Sequence, residues 1–126
     1  MTFGTVLGMY PMAQAVYRAS LDAIADLPIH ALLTTGHGVD ITSFGAIPAN
    51  VTVEAYVPQS QIWPYARAVL CHGGSGTMLG GLAAGIPMVI APLFADQPHN
   101  ARSVEALGAG IAVESQDAPA LRAAIE

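Results

Sequence analysis

Short apolar runs alternate with longer amphipathic stretches along most of the chain. Ile29–Thr35, Val51–Tyr56, Ala68–Cys71, Met88–Ala91 and Ile111–Val113 read as strands, with the near-continuous hydrophobicity of a parallel sheet. Between them lie helical patterns. From Met12 to Asp26 an apolar stripe (Met12, Val16, Ala19, Ala23, then Leu27) opposes a polar line four residues apart (Gln14, Arg18, Asp22, Asp26), with Pro11 suited to the first position. A short helical piece is expected near Gln59–Tyr65. A helix follows the turn His72–Ser75 and runs to Ala84, closed by Gly85 with Pro87 beyond; another covers Pro98–Leu107 and is closed by Gly108. Asp117 reads as the N-cap of a last helix. Met1–Thr5 reads as the end of a strand running into a Gly-Thr turn, so both ends are expected to be cut from something longer. The alternation predicts an α/β, Rossmann-like domain over residues 1–126: a parallel sheet with right-handed crossovers and helices on both faces.

Composition narrows the function classes. With 53% apolar residues and a net charge of −5, the chain is not disordered. It has no lysine, and Arg18, Arg67, Arg102 and Arg122 are scattered, so no basic stripe exists and nucleic acid is not an expected partner. The single Cys71 excludes a disulfide framework and suits a reducing compartment. Thr2–Tyr10 lacks the basic flank of a signal peptide, so the expected localisation is cytoplasmic. From Ala68 to Ala95 the chain is long and apolar enough to suggest a membrane span, but six glycines and two prolines break it into a strand–helix–strand unit.

In an open parallel sheet, ligands bind beyond the carboxyl ends of the strands. Two loops there carry chemistry. His72-Gly73-Gly74-Ser75-Gly76-Thr77 joins a strand to a helix. Its glycines let backbone N–H groups approach an anion, the helix N-terminus adds partial positive charge, and Ser75, Thr77 and His72 add donors. This is a diphosphate cradle that needs no lysine; the alternative is a tight strand–helix turn with a capping serine. A nicotinamide-dinucleotide fingerprint fails, because the third glycine of G-x-G-x-x-G falls on Leu79. In the second loop, Ala95–Asn100, Gln97 is expected to cap the helix that Pro98 starts. Asp96 either complements that helix dipole or, with Gln97, accepts and donates to sugar hydroxyls in the cleft. Cys71, His72 and His99 do not make a metal set, no paired carboxylates point to a diphosphate-bound Mg²⁺, and Ser75 lacks a nucleophile elbow. His30 and His37 are expected to be structural or solvent-facing, and Trp63 core.

His72-Gly-Gly-Ser-Gly-Thr77, Ala84-Gly85-Ile86-Pro87, Pro92, Asp96-Gln97-Pro-His-Asn100 and Gly108-Ala-Gly110, in that order, together with Phe3-Gly4-Thr5 and Tyr56-Val57-Pro58-Gln59, cover essentially the whole chain. This set resembles the C-terminal, donor-binding domain of GT-B glycosyltransferases. The branch includes bacterial macrolide and aromatic-polyketide enzymes of antibiotic biosynthesis and the plant secondary-metabolite enzymes. The resemblance implies a nucleotide-diphosphate sugar as ligand. His72 would contact the α-phosphate; Gly74, Ser75, Gly76 and Thr77 would hold the diphosphate, with Thr5 facing the same cleft. Tyr56 and Val57 would meet the base, and Asp96 and Gln97 the donor sugar. The implied reaction is inverting, metal-independent and cofactor-free glycosyl transfer to a small-molecule acceptor.

Three departures from that pattern bear on function. Tyr56 stands where Trp often stacks on the base. Gly80 stands where plant members carry a ribose-gripping Glu, which leaves thymidine or uridine donors open. The acceptor-binding domain, which would carry the general base, has no counterpart, so no catalytic residue is expected in this chain and it is expected to be inactive alone. It would pair with an N-terminal acceptor-binding domain or partner chain, and self-association through the uncovered apolar surface is a further expectation. The remaining alternatives are a non-catalytic nucleotide-binding or interaction module and a dinucleotide-binding Rossmann domain.

Overall fold

The computed structural model describes residues 1–126. Its strands are β1 (Ala31–Thr34), β2 (Val51–Glu54), β3 (Val69–Cys71), β4 (Met88–Ile90) and β5 (Gly110–Ala112). Its α-helices are α1 (Ala13–Ile24), α2 (Gln59–Ile62), α3 (Ser75–Ala84), α4 (Gln97–Ala106) and α5 (Ala118–Ile125). Every ladder is parallel: β1 pairs with β2, and β3–β4–β5 pair in sequence. Thr2 joins the two groups. It forms parallel bridges to Thr34 and to Cys71, its N–H donates to the Leu70 carbonyl (2.9 Å), and Thr34 N–H donates to the Met1 carbonyl (3.0 Å). The order across the sheet is therefore β2, β1, residue 2, β3, β4, β5. That is the Rossmann order, with its direction reversing at residue 2, where a ligand crevice opens.

Strand alternation divides the apolar residues between two cores. Leu70 and Val89 turn to one face and pack with Phe3, Tyr17, Leu21, Leu33 and Leu121, beneath α1 and α5. Val69, Cys71, Met88 and Ile90 turn to the other and pack with Ile86, Ala101 and Val104, beneath α3 and α4. Each fully buried Leu, Ile or Met contributes about 1.5–3 kcal/mol of transfer free energy. Helices thus cover both faces, as the alternation predicts. No helix is long and apolar enough to cross a membrane.

Several expectations shift locally. The first helix starts at Ala13, and Pro11 precedes it, because Ala13 N–H bonds the Tyr10 carbonyl (3.0 Å) in a separate turn. The helical piece after Pro58 divides into α2 and a 3₁₀ turn, Trp63–Tyr65. Trp63 is half-buried rather than core. Its position accounts for Gly80-Gly81, a pair that weakens α3 by about 1 kcal/mol per residue in propensity. A Cβ at Gly80 would lie 2.9 Å from Trp63 Nε1, and one at Gly81 3.0 Å from Met88 Sδ. The missing side chains let the indole and β4 approach the helix backbone.

Candidate functional site

At the carboxyl edge, β3 delivers His72 and α3 begins at Ser75. The turn between them is compact. Gly73 has φ +84°, and a Cβ there would lie 2.8 Å from the Ile90 side chain. A Cβ on Gly74 would collide with His72 Nε2, so the ring lies flush on the loop backbone. His72 Nδ1 is buried without a hydrogen-bond partner. Burial holds the imidazole below its ordinary pKa, against the opposing effects of the Thr2 backbone and the Asp96 carboxylate. Gly74 occupies the N-cap position of α3 and no side chain caps the helix, so its first N–H groups remain uncapped. A Cβ at Gly76 would meet nothing, so this turn faces open space.

A polar network braces this loop against α4. Ser75 Oγ donates to Asp96 Oδ2 (3.2 Å), and Asn100 Nδ2 donates both to Asp96 Oδ2 (3.0 Å) and to the Gly73 carbonyl (2.9 Å). The Asn100 amide, the Asp96 backbone and Ser75 hold the Asp96 carboxyl below its usual range. Asp96 sits at the N-cap of α4 and makes no capping hydrogen bond there. Ala95, just before it, has φ +58°, an uncommon conformation for a residue with a Cβ.

Gln97 departs from expectation. It does not cap α4, and it is 4% exposed rather than projecting into the cleft. Its Oε1 accepts from Leu93 N–H (2.9 Å) and Phe94 N–H (3.1 Å), which would otherwise be unsatisfied in the turn after β4. Only its Nε2 has no protein partner. Thr77 is likewise buried, and its Oγ1 accepts from Gln59 Nε2 (2.8 Å). That bond ties the start of α3 to the Tyr56–Gln59 loop, and Gln59 and Asn100 are site residues to which sequence reasoning gave no role. Asn100 had a signal, being one helical turn past Asp96; Gln59 and Thr77 meet only through tertiary packing.

A cavity of about 240 Å³ opens beside this loop, at the carboxyl ends of β1, β2 and residue 2. Thr2, Gly4, Thr5, Tyr56, Val57 and Gln59 contribute to its wall. Gly4 also lies against the His72 ring, to which a Cβ would approach within 3.1 Å. Of the expected site residues, Thr5, Tyr56 and Val57 line this cavity, and the His72–Thr77 loop adjoins it through Gly4, against His72, and Gln59, bonded to Thr77. Tyr56 is 56% exposed, and its ring stacks on that of His37 (centroids 5.9 Å apart, planes at 25°). His37 was expected only to be structural or solvent-facing. A larger cavity, about 390 Å³, lies at the opposite edge between Arg18, Asp26 and Asn50. It is remote from every expected site residue, and its polar groups hold the chain together: Asn50 Nδ2 donates to the carbonyls of Ile24, Leu27 and Ile29.

Comparison with known proteins places the family and the fold. Residues 18–126 match the model of the erythromycin biosynthesis protein CIII-like C-terminal domain. Elloramycin glycosyltransferase ElmGT of Streptomyces olivaceus is 42% identical over 92 residues, 73% of this chain and 24% of that protein. The crystal structure of the glycotransferase of kitacinnamycin superposes with a TM-score of 0.83 at 36% identity, covering 98% of this chain and 32% of that one. The spinosyn rhamnosyltransferase SpnG complexed with thymidine diphosphate gives a TM-score of 0.80 at 27% identity, covering 99% of this chain and 34% of that one. The chain thus spans about a quarter to a third of the length of these relatives.

Proposed function

The chain belongs to the erythromycin biosynthesis protein CIII-like C-terminal domain family, within the GT-B glycosyltransferases, and on that premise we propose that it is the donor-binding part of an inverting glycosyltransferase that uses a nucleotide-diphosphate sugar. The observation that carries this reading is the uncapped start of α3 beside His72, with Asp96 braced next to it by Ser75 and Asn100. The SpnG structure supports it, since thymidine diphosphate is bound by a protein similar over almost all of this chain.

In this reading the diphosphate lies on the N–H groups of α3, with His72 on the α-phosphate and Ser75, Gly76 and Gly74 around it. Thr77 acts through its bond to Gln59. The base lies against Tyr56 and the backbone of Val57, and Thr5 lines the same crevice. Asp96 accepts from sugar hydroxyls through the part of its carboxylate turned from Ser75 and Asn100, and Gln97 contributes its Nε2. An acceptor hydroxyl, deprotonated by a base on an N-terminal acceptor-binding domain or partner chain, attacks the anomeric carbon. The bond to the β-phosphate oxygen breaks with inversion, and the nucleoside diphosphate leaves with the electron pair. The α3 amides and His72 stabilise that developing charge electrostatically, without a metal or other cofactor. The acceptor is a small molecule of the natural-product type, as in the antibiotic enzymes this chain is similar to.

Calorimetric titration with uridine and thymidine diphosphates and their sugar conjugates tests the reading. Binding should survive chelator, and Asp96→Ala should weaken the sugar nucleotide about 10-fold while leaving the free diphosphate within about 2-fold. Equal losses for both ligands remove Asp96 from the sugar site. Absence of binding, or its loss on chelation, overturns the site as described.

A further inference from the structure

The ring stack of His37 on Tyr56 has no role in the site as described. Its placement is set by backbone. Thr35 N–H bonds the Glu54 carbonyl (3.1 Å) and Gly36 N–H bonds the Ala55 carbonyl (2.9 Å), extending the β1–β2 ladder past the ends of both strands. The next residue on each side is His37 and Tyr56. Gly36 and Gly38 flank the histidine with φ of +86° and +79°, so the loop turns back in a conformation that side chains rarely allow, and the imidazole comes to rest on the tyrosine ring. The crevice wall includes Tyr56, Gly36 and Ala55 but not His37, so Tyr56 is the member of the stack that reaches the crevice.

We propose that His37 is a positioning residue for nucleotide recognition: it backs Tyr56 so that the opposite ring face is held flat toward the base of the bound nucleotide. The inference rests on the nucleotide-binding reading above and adds to it a second ring from a different strand. An exposed tyrosine alone would sample several rotamers and lose that freedom on binding; the stack removes part of that cost beforehand. The resulting order is base, Tyr56, His37, with the tyrosine shared between two stacking partners.

Binding of uridine diphosphate, thymidine diphosphate and inorganic pyrophosphate to the wild-type chain, His37→Ala, His37→Phe, Tyr56→Ala and the double variant tests this. His37→Ala should weaken both nucleoside diphosphates about 2- to 10-fold, the size of one ring–ring contact. Pyrophosphate, which has no base, should be unaffected. His37→Phe should restore affinity, and His37→Ala should add nothing in the Tyr56→Ala background. Wild-type affinity for the nucleoside diphosphates in His37→Ala, an equal loss for pyrophosphate, or full additivity in the double variant overturns the inference alone. No nucleoside diphosphate binding by the wild-type chain overturns the donor-site reading and this inference with it.

Discussion

Helices α3 and α5 both begin after a strand at the same edge of the sheet, yet their first turns are built in opposite ways. Asp117 caps α5 by accepting from Ala120 N–H (2.9 Å), and Ser115 Oγ donates to the same carboxylate (2.6 Å). This is an ordinary, locally satisfied helix start. Helix α3 begins at Gly74, with no capping side chain, and Ser75, which could turn inward, reaches across to Asp96 instead. One start is closed by its own sequence; the other leaves its donors available to something from outside the chain. Side-chain caps contribute stability, so on the proposed reading a bare start beside the buried, unpartnered Nδ1 of His72 is where stability yields to binding.

The sharpest way to break this contrast is to close α3. At Gly76 a Cβ meets no atom, so Gly76→Asp fits without strain. It replaces a helical glycine and puts negative charge in the first turn, both stabilising, by about 0.5–1 kcal/mol for the glycine replacement alone. The same carboxylate occupies the anion's position. The expected result is a higher thermal midpoint together with at least a 10-fold loss of nucleoside diphosphate affinity, read by calorimetry. A gain or no change in affinity would show that the start of α3 is not an anion site. The converse change, Asp117→Ala, should lower the thermal midpoint by a few degrees and leave ligand affinity untouched; a change in affinity would break the separation between the two helix starts.

The smallest effect concerns His72. Burial lowers its folded-state pKa below the 6.5 of a free imidazole, so the folded chain favours the neutral ring. That contribution is complete above about pH 6.5. It is lost as pH falls through this value toward the folded pKa, where the unfolded chain takes up a proton that the folded chain does not. Denaturant titrations from pH 7.5 to about 5 should therefore show wild-type stability falling more steeply than that of His72→Gln. Parallel profiles would mean that His72 is not desolvated.

Much of this architecture is legible in the sequence because it rests on local rules. Glycines at Gly85 and Gly108 adopt φ of +67° where helices were expected to stop, and Asp117 caps where a cap was expected. The short Val/Ile/Leu runs are strands, trimmed at their ends where Ile29 and His30 emerge into solvent. The departures from expectation involve partners that helix and strand periods do not bring together. Gln97 was expected to cap α4; instead the bare N–H groups of Leu93 and Phe94, in the turn just before, take its oxygen. The propensity that Gly80 and Gly81 cost α3 has its reason in Trp63 and Met88, which fill the vacant space. The Gln59–Thr77 bond and the His37–Tyr56 stack have no sequence spacing that could announce them, since each joins two elements that meet only when the sheet is assembled.

The single-residue bridge at Thr2 has a consequence for how that sheet holds together. The β1–β2 ladder and the β3–β4–β5 ladders each close over the crossovers between their own strands. Within the sheet, the two groups join only through residue 2 meeting residues 34 and 71, with few backbone hydrogen bonds gained in return. The crevice thus lies at the narrowest seam of the sheet. A ligand that spans it, touching Tyr56 on one side and His72 on the other, would act as a clasp across the thinnest joint in the sheet.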